Sequence, residues 1–209
     1  FASVLPSFSA APPAGLGVWD FELGITNAWG GRYNVFMREP TWARTHLDPS
    51  TARASSGHSL RVTVHRQAEG FCGVWMDIHS PSEAARRFLD ASPYRFLSFW
   101  VKGQSGGEQF ELWLTDDSER KDDGAQETRS VRSYLPDGVT TEWHEVLIPL
   151  ADFRGVNLRR LVHLTLHFTT PGDYRFYLDD IALKRGPSAR VPASTSAKVV
   201  PANPAATSQ

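Results

Sequence analysis

Apolar residues in this chain recur at every second position, segment after segment, and hardly anywhere at the three-to-four spacing of a helix. "SLRVTVH" sets Leu60, Val62 and Val64 against Arg61, Thr63 and His65. "FCGVWMDIH" sets Cys72, Val74, Met76 and Ile78 against Gly73, Trp75, Asp77 and His79. "QFELWLTD" and "LVHLTLHFT" repeat the pattern, with Phe110, Leu112, Leu114, Leu164, Leu166 and Phe168 as the apolar sets. "YRFLSFWVKG" and "EWHEVLIPL" read as two further strands. A period of two marks an extended strand with one buried face. Between these segments lie "GQSGGE", "DDG", "LPDG" and "TTPGD", which are turn sequences. "PSEAARRFLDAS" predicts one or two helical turns and "PLADF" a 3₁₀ turn. Many short strands punctuated in this way predict an all-β fold, a two-sheet antiparallel β-sandwich of the jelly-roll kind.

The chain has 209 residues, 41% of them apolar, enough for one sizeable core. Its ends differ in kind. Residues 1–17 are small, Pro-rich and aperiodic, and residues 187–209 form a Pro/Ala/Ser/Thr tract with almost no large apolar residue. Neither stretch buries enough surface to order itself. The expected division is a flexible segment over 1–17, the sandwich over 18–186 and a tail or linker over 187–209. Such a tail suits tethering to other domains or to a surface. A net charge of −1 gives no basic field for nucleic acid, and no apolar run approaches the roughly 20 residues of a membrane span, so neither nucleic-acid binding nor membrane insertion is expected. The single cysteine, Cys72, excludes an intrachain disulfide framework and reads as a small buried hydrophobe. A start at Phe1 rather than Met is compatible with export, so a secreted, cell-surface or periplasmic location is expected.

The outward positions of the strands are richer than solvation requires. Trp75, Asp77, His79, Glu111, Trp113, Thr115, Arg132, Tyr134, His163 and His167 mix flat rings with carboxylate, imidazole and guanidinium groups. That mixture suits sugars, whose C–H faces stack on rings and whose hydroxyls take paired hydrogen bonds, and ligand sites in general join apolar walls to a few placed polar groups. Trp75 and Trp113, on comparable faces, are the leading pair. Trp19, Trp29, Trp42, Trp100 and Trp143 read as core or edge packing. His163 and His167 would share a helix face and could hold zinc there, but on a strand they lie about 13 Å apart, too far for one ion.

"FYLDDIAL", residues 176 to 183, carries two adjacent acids in an otherwise apolar strand, and strands are depleted in Asp. With Leu178 inward, strict alternation turns Asp180 inward and Asp179 out. A carboxylate there needs a cation, backbone N–H groups or an Arg partner.

The order of "VWDFELG…NAWGG", "SSGHSLRVTV", "GFCGVWMDI", "YRFLSFWVKG", "TTEWHEVLIPLADF", "LRRLVHLTLHF" and "YRFYLDDIAL" resembles the jelly-roll carbohydrate-binding modules, closest to the family 11 type. It also resembles the related complex I intermediate-associated domain, which shares the galactose-binding-like sandwich. The resemblance implies non-catalytic binding of a polysaccharide or oligosaccharide on the concave face of one sheet. It also implies a structural calcium ion tying the first strand to the last, with Glu22 and Asp180 as side-chain ligands, Asp20 as a possible third and His58 through its carbonyl oxygen. Oxygen donors of this kind are what Ca²⁺ takes. Two other classes stay open. A protein-interaction domain would use an exposed apolar patch. A jelly-roll glycosidase would need two carboxylates about 5 to 10 Å apart, and a lyase a His or Tyr base with an Arg. The chain holds no G-x-S-x-G, phosphate loop or H-E-x-x-H.

Overall fold

A computed structural model describes residues 15–53, 57–80, 88–118, 125–127 and 130–186. The strands are β1 (Gly15–Trp19), β2 (Tyr33–Arg38), β3 (Trp42–Asp48), β4 (Ser59–Arg66), β5 (Phe71–Asp77), β6 (Phe96–Gly103), β7 (Glu111–Asp116), β8 (Ala125–Glu127), β9 (His144–Pro149), β10 (Leu161–His167) and β11 (Gly172–Lys184). They form two antiparallel sheets. One has the order β3-β4-β11-β6-β9, with β1 added beside β11, and the other the order β2-β5-β10-β7-β8. This is the predicted two-sheet sandwich. No α-helix occurs among the described residues, and Leu150–Asp152 makes the expected 3₁₀ turn. Residues 81–87, where most of the expected helical turns fall, lie outside the described residues.

The inward faces are those the period predicts. Cys72, Val74 and Met76 of β5, Leu112 and Leu114 of β7, and Leu164 and Leu166 of β10 meet Leu60, Val62 and Val64 of β4 and Phe176 and Leu178 of β11 in one core. Its centre is aromatic: Phe110 stacks on Phe176 with centroids 4.7 Å apart, and Phe168 meets Phe176 edge-on at 5.9 Å. Burial pushes the Cys72 thiol up to about 11, so it stays a protonated apolar filler at neutral pH.

β1 begins at Gly15, three residues before the expected boundary at 18. Gly15, Leu16 and Gly17 pair with Lys184, Leu183 and Ala182. Two glycines carry no side-chain pattern, so this pairing rests on backbone hydrogen bonds to β11 that periodicity does not register.

β11 is flanked on one edge by β4 along its first half and β1 along its second, while β6 runs along the other edge. Between the halves the register shifts, at Asp179–Ala182. Asp180 there adopts φ 46°, a left-handed conformation that Asp tolerates better than most residues. One extra residue reverses the alternation. Leu178 faces the core, and the next residue to do so is Ile181, not Asp180. The expectation of an inward Asp180 and an outward, exposed Asp179 is therefore corrected. Asp180 sits half-exposed at the bulge and pairs with Arg53, whereas Asp179 is 4% exposed beneath the Arg53 segment. The bulge keeps both acids out of the apolar interior.

Candidate functional site

The outer face of the second sheet gathers most of the sequence candidates into rows. Strand register aligns Asn34, Trp75, Thr165 and Trp113 across β2, β5, β10 and β7. One step along the strands, the row is Phe36, Gly73, His167 and Glu111. On the other side it is Asp77, His163 and Thr115. At about 4.8 Å per strand, Trp75 and Trp113 stand about 10 Å apart with Thr165 between them. Both rings are partly exposed.

A ribbon of rings crosses the same face. Phe36 lies between Phe71, at 6.3 Å, and His167, at 6.2 Å and 24°, and His167 meets Trp113 edge-on at 4.8 Å. Gly73 makes this ribbon possible. A Cβ on Gly73 would fall 2.2 Å from Phe36 Cζ and 2.4 Å from the Leu166 carbonyl oxygen, so the Phe36 ring lies across bare backbone. Phe71 is 41% exposed, and the Arg38 guanidinium sits 5.3 Å from its ring centre. Phe36, Phe71, Arg38 and Asn34 are absent from the sequence candidates. The signal for Asn34, Phe36 and Arg38 was the alternation of "YNVFMR", in which Tyr33 and Val35 turn in and Asn34 and Phe36 out, and for Phe71 it was its place two residues before Gly73 on the outward set of "FCGVWMDIH".

Polar groups flank the rings. Asp77 Oδ1 holds His163 Nδ1 at 2.6 Å. The Asp77 side chain is 7% exposed and the His163 side chain 45% exposed, so the carboxyl holds the more open ring from below. Burial raises the Asp77 carboxyl above the usual carboxylate range, and the His163 charge partly offsets this. Glu111 Oε1 accepts the Thr169 hydroxyl at 3.2 Å. His163 and His167 sit in different rows, as the strand geometry requires. Arg132 and Tyr134 stand outside these strand rows. They lie on or beside the 3₁₀ turn Val131–Ser133, and the Tyr134 hydroxyl donates to Asp152 Oδ2 at 2.9 Å. An irregular turn has no period, so outward strand logic does not transfer to it. His79 lies just past β5, stacked on Trp29 at 5.0 Å.

Glu111 and Asp77 are two strands and four residues apart, roughly 16 Å between backbones at about 4.8 Å per strand and 3.3 Å per residue. Glycosidase carboxylates face each other across about 5 to 10 Å. These two do not share a scissile bond.

The acidic end lies elsewhere, where the start and finish of the fold meet. Glu22 Oε1 accepts the His58 N–H at 2.9 Å, Asp20 Oδ1 accepts the Glu22 N–H at 3.2 Å, and Asp179 Oδ2 accepts the Arg53 N–H at 3.1 Å. A Cβ on Gly57 would fall 2.2 Å from Glu22 Oε1. Carboxylates from both ends of the chain therefore reach one segment, at Arg53 and His58. They offer oxygen donors of the kind calcium takes, although Arg53 occupies Asp180 and no three acidic, His or Cys side chains cluster among the described residues. Burial pushes Asp179 up from its ordinary 3.8 to about 6. Its folded value lies above the unfolded one, so its protonated form stabilises the fold fully below about 3.8, and that contribution is lost as pH rises through about 6. The expected outcome, in chelator, is a melting temperature that falls between pH 5 and pH 7, with the slope reduced in Asp179→Asn. An equal slope in the variant would assign the dependence to other groups.

The model of the family described as Carbohydrate binding domain 30 matches residues 25–185. The chain belongs to that family. It is therefore a carbohydrate-binding module rather than an enzyme, with the two-sheet jelly roll of its relatives. The family 30 module of a cellulosomal cellulase of Clostridium thermocellum superposes with a TM-score of 0.61 at 20% identity, over 81% of this chain and 96% of that one. Another family 30 module gives 0.63 at 19%, over 86% and 92%. A family 11 module from C. thermocellum, solved with a β-1,3-1,4-mixed-linked tetrasaccharide, gives 0.59 at 15%, over 81% and 95%. The resemblance to family 11 thus holds at the level of fold, while the family is 30. No curated protein matches the chain.

Proposed function

We propose that this module binds a neutral polysaccharide or oligosaccharide on the outer face of the β2-β5-β10-β7-β8 sheet, the concave face of the expected jelly roll. One observation carries the reading: strand register sets Trp75, Thr165 and Trp113 in a single row, beside a second row in which Phe36 and His167 extend the aromatic surface. Stacking rings at about 10 Å separation suit alternate pyranose faces along an extended chain. Glu111 and the Asp77-held His163 supply hydroxyl partners at the flanks. His79 belongs to the end of this face, whereas Arg132 and Tyr134 stand outside its strand rows. Affinity electrophoresis across a panel of neutral glycans tests this reading. At least one glycan should retard the parent module and retard Trp113→Ala less. Equal retardation of the two on every glycan would remove this face from the function.

The same reading includes calcium as a structural ion near Glu22 and the Asp179–Asp180 pair, with Asp20 and the His58 carbonyl as further oxygen donors. Asp179 supports it: a carboxylate 4% exposed at neutral pH gains from a nearby cation. A ligand bound only by the folded state raises its melting temperature. Removing calcium with a tight chelator should therefore lower the melting temperature, and restoring the ion should return it. An unchanged midpoint would exclude the ion. Secretion or surface display, and tethering to other domains, complete the proposal. A Pro/Ala/Ser/Thr stretch over residues 187–209 supports the tether.

A further inference from the structure

The central rows of the two outer faces carry opposite charge, although Asp173, paired with His65, borders the second. On the β2-β5-β10-β7 side the central rows hold carboxylates and imidazoles. On the other side, β3, β4, β11 and β6 align Arg44, Thr63 and Arg175 in one row and His46, Arg61, Tyr177 and Lys102 in the next. These two rows contain four full cations and no acid. Arg61 alone is neutralised, by Asp48 at 3.1 Å. Among the described residues no carboxylate pairs with Arg44, Arg175 or Lys102. Arg44 and Arg175 are exposed. A ring borders the patch: Trp42 stacks on His65 at 5.5 Å, and the Arg44 guanidinium lies 4.9 Å from the Trp42 ring centre.

An overall charge of −1 conceals this segregation. Arg175 and Lys102 lie on adjacent strands and Arg44 stands two strands from Arg175, at about 10 Å, so these unpaired like charges repel, and a complementary anion relieves that repulsion. The rest of the chain does not supply one in its termini. Residues 187–209 contain Arg190 and Lys198 but no Asp or Glu, and residues 1–14 contain no charged side chain.

We infer that the outer face of the β3-β4-β11-β6 sheet is a second binding surface, for an acidic polysaccharide. The charge complements a polyanion. The border of Trp42 and Arg44 presents a flat ring beside a guanidinium, which fits a pyranose bearing a carboxylate or sulfate. The inference rests on the family's carbohydrate-binding character, not on which face takes a neutral glycan. The two surfaces point away from each other, so one module can join a neutral chain to an acidic one.

The test is affinity electrophoresis with polygalacturonate, dextran sulfate, neutral mixed-linkage β-glucan and single-stranded DNA, each at low and high salt. Polygalacturonate or dextran sulfate should retard the parent at low salt, with the retardation screened out at high salt. Which of the two binds tells carboxylate from sulfate. The exposed pair Arg44→Gln with Arg175→Gln should weaken acidic-glycan binding at least tenfold and leave neutral-glucan behaviour and melting temperature unchanged. Arg44→Lys should keep most of the binding. Trp113→Ala should show the reverse pattern, losing neutral-glycan binding alone, so failure of one surface is read separately from failure of the other. The inference is overturned if neither polyanion retards the parent, if the glutamine pair binds as the parent does, or if DNA binds at least as tightly as both acidic glycans.

Discussion

Gly73→Ala should lower the melting temperature and abolish glycan binding together. The new Cβ would sit 2.2 Å from Phe36 Cζ and 2.4 Å from the Leu166 carbonyl oxygen. The phenyl ring can rotate away, but the carbonyl belongs to the β10 backbone and takes part in the ladder to β5, so the strands must part locally. Overpacking of this kind costs about 1–3 kcal/mol and sometimes more, and about 2–4 °C of melting temperature follows each kcal/mol in a domain of this size. Displacing Phe36 also breaks the ring ribbon at its middle. Adding Phe36→Ala to Gly73→Ala should recover part of the lost stability and none of the binding. A Gly73→Ala protein that melts and binds as the parent does would mean that the Phe36 ring does not lie across β5.

The double substitution Trp75→Ala with Trp113→Ala should have the largest effect on affinity. Each indole removed from a ligand contact costs about 1–3 kcal/mol of buried apolar surface. The two rings stand two strands apart, about 10 Å, with Thr165 between them, so the losses should nearly add. Titration calorimetry on a retarded glycan should then show a drop of at least about thirtyfold, the equivalent of about 2 kcal/mol at 1.4 kcal/mol per tenfold. Stability should change little, because both side chains lie on the outer face and neither belongs to the core. Affinity within a factor of three of the parent would place the ligand elsewhere.

Much of the architecture was legible because burial on one face imposes a period of two. The inward sets of β4, β5, β7 and β10 follow directly from it, as does the shared face of Trp75, Asp77, Trp113, His163 and His167. Two parts were not legible. Phe36 and Phe71 were missed because a ring on an outer position looks like ordinary alternation until a partner strand brings Gly73 beneath it. Arg132 and Tyr134 lie on or beside the turn between β8 and β9, which keeps no alternation, so strand periodicity could not place them.

By itself the sequence determined which residues of β4, β5, β7 and β10 face inward and that the chain folds as a two-sheet sandwich, since a regular strand's pattern is local and survives any arrangement of neighbours. Only the tertiary structure decided which strands lie side by side. That pairing put Thr165 between two tryptophans, gathered arginines from β3, β4 and β11 onto one face, and placed the bulge that turned Asp180 toward Arg53 and buried Asp179. Register is set by long-range hydrogen bonding and packing, and no window of one strand's sequence contains it.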